Sequence, residues 1–112
     1  MNCWVVGEGP DSAYIFRTSN GGVTWVEQVA LPGSSLMDVQ MLNVNEGWAV
    51  GGELLPNTFN ALFLHTTDGG KTWVNTNTIA NAYPNSISVS SAGRAYSTAF
   101  LRNGLSAILA YK

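Results

Sequence analysis

A chain of 112 residues suffices for one ordinary domain, and its 46% hydrophobic content is that of a globular protein. Charged residues supply only 11%, less than half of the roughly 25% of an average domain, and the net charge of −2 leaves five scattered cations, Arg17, Lys71, Arg94, Arg102 and Lys112. That pattern offers no basic face to a nucleic acid; the single Cys3 excludes a disulfide framework within the chain; and no run approaches the roughly 18 apolar residues of a membrane-spanning helix.

Helical periodicity is nearly absent. Short runs rich in Val, Ile, Trp, Tyr, Phe and Thr alternate with Gly, Asn and Pro clusters, the pattern of strands and turns. Ten strands are expected, at 3–6, 14–18, 24–28, 38–42, 47–51, 61–66, 72–76, 86–90, 94–98 and 107–111. The run 34–39 can begin with a turn instead. Cys3 reads as a small buried apolar residue of the first strand, with no signal peptide ahead of it. Asn20-Gly21-Gly22 and Asp68-Gly69-Gly70 are tight-turn signals, because Gly tolerates positive φ. Pro32-Gly33 and the stretch 82–85 read as turns between separate sheets. The stretch 53–60 is longer than its counterpart 8–12 and reads as a loop insertion.

The chain repeats itself. Thr18-Ser19-Asn20-Gly21-Gly22-Val23-Thr24-Trp25 returns 48 residues later as Thr66-Thr67-Asp68-Gly69-Gly70-Lys71-Thr72-Trp73. Trp4-Val5-Val6-Gly7 matches Trp48-Ala49-Val50-Gly51, and Gly47-Trp48-Ala49 has a weaker echo in Gly93-Arg94-Ala95. Ala13-Tyr14-Ile15-Phe16 lines up with Ala61-Leu62-Phe63-Leu64 and with Ala107-Ile108-Leu109-Ala110. A period of about 40–50 residues marks a modular architecture whose units bury one another's faces. Lettering the middle unit A to D, the whole chain reads BCD, ABCD, ABC. The expected fold is therefore all-β, with antiparallel four-stranded blades of a β-propeller. About two and a half blades form an incomplete ring: a partial blade at 1–30, a full blade at 34–80 and a partial blade at 84–112.

The repeated phrase resembles the Asp-box, or BNR repeat, of pattern Ser/Thr-x-Asp-x-Gly-x-Thr-Trp. Its second copy fits throughout with Thr66, Asp68, Gly70, Thr72 and Trp73. Its first fits with Thr18, Gly22, Thr24 and Trp25, and places Asn20 where the pattern has Asp. The flanking Gly47-Trp48-Ala49-Val50-Gly51 looks especially like the photosystem II stability/assembly-factor branch of these propellers. The resemblance implies a structural box on the outer edge of each blade, away from the central axis. The Asp or Asn oxygen would accept backbone N–H bonds inside the turn. Trp25 and Trp73 would pack beneath the hairpin or between blades. The resemblance is also compatible with an exported parent, periplasmic or extracellular.

Sialidases share the box, so their chemistry is the enzyme reading to weigh. It needs an arginine cluster for a carboxylate and a Tyr activated by an acid. Only Arg17, Arg94 and Arg102 are present, and no Arg-Ile-Pro stretch occurs. The carboxylates Glu8, Asp11, Glu27, Asp38, Glu46, Glu53 and Asp68 fall mostly in loops or turns, where solvated surface is the default. Glu8 and Glu53 read as a shared loop feature. His65, the single histidine, is expected to face a neighbouring blade or solvent, and one imidazole makes no metal site. No phosphate loop or nucleophile elbow occurs. No catalytic residue, metal ligand or cofactor is assigned. The expected function is a non-catalytic scaffold that binds or assembles protein partners in its intact parent. The alternative is a fragment of a sialidase-like secreted glycoside hydrolase, or a carbohydrate-binding propeller. Self-association into a dimer or higher is expected, because Leu36, Met37, Val39, Met41, Ile87, Val89, Leu105 and Ile108 would be partly uncovered on open blade faces and edges.

Overall fold

The protein is described by a computed structural model covering residues 2–9, 12–55, 58–80, 82–90, 93–101 and 106–111. Ten strands run in order: β1 (Cys3–Glu8), β2 (Ser12–Thr18), β3 (Val26–Pro32), β4 (Ser34–Met41), β5 (Gly47–Leu55), β6 (Thr58–Thr66), β7 (Val74–Ala80), β8 (Ala82–Val89), β9 (Ala95–Leu101) and β10 (Ser106–Tyr111). No helix occurs among the described residues. All pairing is antiparallel between sequence neighbours, and it makes three sheets. The first has the order β1-β2-β3, the middle β4-β5-β6-β7 and the third β10-β9-β8.

Several boundaries differ from expectation, each for a local reason. The strands expected at 24 and 72 begin at Val26 and Val74, because the preceding Thr-Trp pairs belong to the turns. The stretch 53–60 is mostly ladder: Glu53 pairs with Asn60, Leu54 with Phe59 and Leu55 with Thr58. Its extra residues lengthen a hairpin. Glu8 is likewise not in a loop, but ends β1. Residues 82–85 open β8, and Pro84 is accommodated there because β8 is an edge strand. Pro32-Gly33 does turn, with Gly33 at φ 70°, and β4 starts at once at Ser34.

The repeat extends to the irregularities of the ladders. Between β2 and β3 the pairing steps from Ile15–Val29 to Phe16–Glu27 and leaves Gln28 as the extra residue. Between β6 and β7 it steps from Phe63–Asn77 to Leu64–Asn75 and leaves Thr76, 48 positions later. Met37 and Asn85 stand in the same relation in β4 and β8. Such bulges add local twist at fixed points.

Two apolar layers hold the sheets together. Ala13 and Ile15 of the first sheet meet Leu36, Ala49 and Leu64 of the middle one, with Trp4, Val6, Val29, Leu31, Val39 and Trp73 at the margin. On the other side, Trp48, Val50, Ala61 and Phe63 meet Ala82, Ile87 and Ala95 of the third sheet. The middle sheet is thus covered on both faces, which is why β5 and β6 carry the unbroken runs Trp48-Ala49-Val50 and Ala61-Leu62-Phe63-Leu64 rather than a strict alternation. These layers bury Leu36 and Ile87, to 4% and 6% exposure, where partial uncovering was expected. Met37 points out, and Val39, Met41 and Val89 are half-buried. Cys3 is exposed rather than buried, because it lies on an edge strand with its side chain away from the layer. Asp11, Arg102, Leu105, Lys112 and the side chains of Glu53 and Ile108 lie outside the described residues.

Polar contacts cross between sheets as well. The Asp38 carboxylate accepts the Ile87 N–H at 2.9 Å, and the Gln40 amide oxygen accepts that of Val89 at 3.2 Å. Side chains of β4 thereby cap the free edge of β8. The Ser35 hydroxyl donates to the Glu8 carboxylate.

Gly7 and Gly51 hold the same repeat position in different surroundings. A Cβ at Gly51 would collide with the Ser35 carbonyl oxygen and lie 2.7 Å from Leu36 Cα, whereas one at Gly7 meets nothing within 4 Å. Gly51→Ala is expected to cost about 1–3 kcal/mol in urea denaturation. Gly7→Ala should stay within about 0.5 kcal/mol of the parent. Equal costs would contradict this packing.

Candidate functional site

The two copies of the repeated phrase fold into turns with matching hydrogen bonds, linking β2 to β3 and β6 to β7. In the first, the Thr18 hydroxyl accepts the N–H groups of Asn20 and Gly22 at 3.3 and 3.0 Å and donates to Asn20 Oδ1 at 2.8 Å. Asn20 Oδ1 also accepts the Thr24 N–H at 3.0 Å. In the second, Thr66 Oγ1 accepts from Asp68 and Gly70 at 3.4 and 2.9 Å and donates to Asp68 Oδ1 at 2.9 Å. Asp68 Oδ1 accepts the Thr72 N–H at 2.9 Å. One bond reverses polarity. Thr72 donates its hydroxyl to Asp68 Oδ2 at 2.6 Å, whereas Asn20 Nδ2 donates to the Thr24 hydroxyl at 2.8 Å. A rotatable hydroxyl serves either way, so Asn replaces Asp without losing a bond. Gly21, Gly22, Gly69 and Gly70 sit at φ of 72, 95, 75 and 90°, the region that favours glycine.

Hydrogen bonds from Thr72, first its hydroxyl and then its N–H, hold the Asp68 carboxyl down from 3.8 to about 2. These bonds favour the ionised form.

The turns differ in what lies against them. Gly69 and Gly70 are buried, whereas Gly21 and Gly22 are exposed. The Gly69 carbonyl receives three donors from the first sheet: Trp4 Nε1 at 3.2 Å, Arg17 Nη1 at 3.1 Å and Gln28 Nε2 at 3.1 Å. The Gly69 N–H donates to the Asn45 carbonyl at 2.9 Å. Trp73 is half-buried at the margin of the apolar layer, but Trp25 is 43% exposed. Trp25 lies beside Gly22 of its own hairpin but has no neighbouring sheet against it, since nothing described covers the outer face of the first sheet there.

A feature missed in the sequence accompanies this docking. The Arg17 guanidinium lies over the Trp4 ring, 4.7 Å from its centre, and Nη2 donates to Asn2 Oδ1 at 3.1 Å. One repeat on, the His65 ring stacks on Trp48 at 4.9 Å and Nε2 pairs with Glu46 Oε2 at 2.9 Å. Asn2, Trp4 and Arg17 thus correspond to Glu46, Trp48 and His65. The repeated Trp was the available signal; the residues stacked on it differ in type and left no pattern.

The candidate acids and bases are dispersed. Glu8, Asp38 and Glu46 each hold a separate structural bond, to Ser35, Ile87 and His65. Arg17 lies in the first sheet, while exposed Arg94 adjoins the third, across the middle one. A groove of about 300 Å³ between the turns is lined by Arg17, Ser19, Thr24, Val26, Gln28 and Lys71. None of these described lining residues carries a carboxylate or imidazole that could move a proton. Among the described residues no three His, Cys, Asp or Glu side chains cluster as metal ligands, and no helix is long and apolar enough to cross a membrane.

Two measurements test the turns. Thr66→Val would leave the buried Gly70 N–H without its acceptor, at about 1–3 kcal/mol. Thr18→Val should cost less, because water can reach Gly22; a reversed order in chemical denaturation would contradict the assignment. Because the folded Asp68 pKa is depressed, its stabilisation is present above about pH 4 and is lost as pH falls toward about 2. Acid titration of the melting temperature should therefore show a steeper fall between pH 4 and 2 for the parent than for Asp68→Asn. Parallel curves would remove Asp68 from the account.

Comparison with family models, with curated proteins and with solved structures finds no match to this chain. The functional reading accordingly rests on the geometry.

Proposed function

We propose that the chain is a non-catalytic, Asp-box-type repeat fragment of a β-propeller. In this reading its three sheets are blades of an incomplete ring, and it serves as a scaffold whose exposed blade faces hold protein partners, copies of itself included. The observation that carries the reading is how the repeated phrase spends its chemistry. The side-chain oxygens of Thr18, Asn20, Thr66 and Asp68 accept N–H and hydroxyl groups of their own turns, and the Thr72 hydroxyl donates to Asp68. The exposed Gly21-Gly22 turn and Trp25 supply uncommitted contact surface instead. Loops and exposed faces on a rigid repeat frame suit recognition.

Exposed Trp25 is also the feature that favours the carbohydrate-binding alternative, since an open indole can stack on a sugar ring. One experiment separates the two. The purified chain, incubated with a fluorogenic sialoside and passed over a glycan panel, is expected to release no fluorophore and retain no glycan. Turnover lost in Arg17→Ala, or glycan retention lost in Trp25→Ala, would replace the scaffold with the hydrolase or lectin reading.

A further inference from the structure

The outer face of the first sheet occupies positions that the repeat buries one unit later. Val5 and Phe16 are cross-strand partners, as are Ala49 and Leu64. By the 44- and 48-residue offsets Val5 matches Ala49, Phe16 matches Leu64 and Trp25 matches Trp73. In the middle sheet Ala49 and Leu64 are 0% and 4% exposed and Trp73 is half-buried. In the first sheet Val5 is 38% exposed and Trp25 43%, with Phe16 half-buried between them. Scattered exposed apolar residues are ordinary on a protein surface. Here they fall together, at the positions that another unit covers elsewhere in the same chain.

The internal interface also shows what covers such a face. Ala49 and Leu64 lie against the side of the first sheet that carries Trp4, Val6, Ala13 and Ile15. In the third sheet, the positions of Trp4 and Val6 are taken by Arg94 and Tyr96, through the match of Gly47-Trp48-Ala49 to Gly93-Arg94-Ala95. Tyr96 is 41% exposed and Arg94 is exposed as well, while their neighbour Ala95 is fully buried on the inner side. Among the described residues each copy therefore presents one uncovered face of each kind, at opposite ends of its sheet stack.

We propose that the Val5–Phe16–Trp25 face of one copy is covered by the Arg94–Tyr96 face of a second copy, head to tail, in the manner of the internal sheet-to-sheet interface. The proposal rests on the scaffold reading and deepens it by naming the partner. Tyr96 lies against the Val5–Phe16 pair as Val6 lies against the middle sheet. The exposed Gly21 carbonyl takes the place of the Gly69 carbonyl, and Arg94, standing where Trp4 stands, supplies the donor. A head-to-tail contact is heterologous, so assembly continues past the dimer into a ring or a filament.

Sedimentation velocity from 1 to 100 µM (concentrations on the order of those at which such contacts form) tests this with two variants, Trp25→Glu and Tyr96→Glu. The parent is expected to form species larger than a dimer. Each variant alone is expected to stay monomeric, because one of its two faces is blocked. Mixed, they are expected to give a dimer and nothing larger, since one intact head meets one intact tail. A monomeric parent, a variant that still assembles, or a mixture that stays monomeric would each overturn the interface. Both substitutions fall on exposed residues, and unchanged far-ultraviolet circular dichroism verifies folding. Should Trp25→Glu misfold, Val5→Lys blocks the same face and carries the same expectation. A monomeric parent that also leaves the sialoside and the glycans untouched would remove the interface alone, whereas sialoside turnover would remove the scaffold reading whatever the assembly state.

Discussion

The middle sheet has two apolar faces, and it can exist in water only between two neighbours. Trp48, Val50 and Phe63 are buried against the third sheet, and Ala49 and Leu64 against the first. Burying each large side chain contributes about 1.5–3 kcal/mol, so neither layer is dispensable to a marginally stable chain. The other features follow from that constraint. Gly51 has no room for a side chain because the backbone of its ladder partner β4 lies against it at Ser35 and Leu36. Pro84 tolerates a strand position because β8 is an edge. The β8 edge is in turn capped by Asp38 and Gln40 rather than by another strand.

The turns give this stack its lateral register. Each is stapled internally by a threonine hydroxyl and an Asp or Asn oxygen, which pre-organises the glycine carbonyls outward. The Gly69 carbonyl then accepts three donors from three different strands of the first sheet. Sliding one sheet past the other would strand those donors in a poorly hydrated layer, where each unpaired polar group costs about 1–3 kcal/mol. Apolar contact alone is non-directional and would not resist such a slide. The staple and the docking are therefore one device, with hydrogen bonds inside the turn aiming a carbonyl that fixes the next interface.

Much of the hairpin architecture was legible in the residues. Asn20-Gly21-Gly22 and Asp68-Gly69-Gly70 specify their turns locally, because a glycine at positive φ and an Asx oxygen need no distant partner. Strand existence followed from composition for the same reason. The extended β5–β6 ladder over 53–60 was not legible, since length difference alone does not separate a loop from a longer hairpin. The bulges at Gln28 and Thr76 share position but no chemistry, so nothing in the letters marks them. The equivalence of Arg17 on Trp4 with His65 on Trp48 was hidden in the same way: a guanidinium and an imidazole ring fill one stacking place.

The sequence by itself determined the all-β character, the hairpin turns and the 48-residue repeat, because each rests on contacts within a few residues or on a pattern that recurs along the chain. Only the tertiary structure decided which copy of each repeated residue is buried. Trp25 and Trp73 are the same letter in the same phrase, and Gly7 and Gly51 hold one position in one repeat. The tryptophans differ because the first sheet lies against Trp73 and nothing described lies against Trp25; the glycines differ because β4 pairs alongside Gly51, whereas β1, which carries Gly7, is an edge strand. Burial is a property of what packs alongside, and no local pattern carries it.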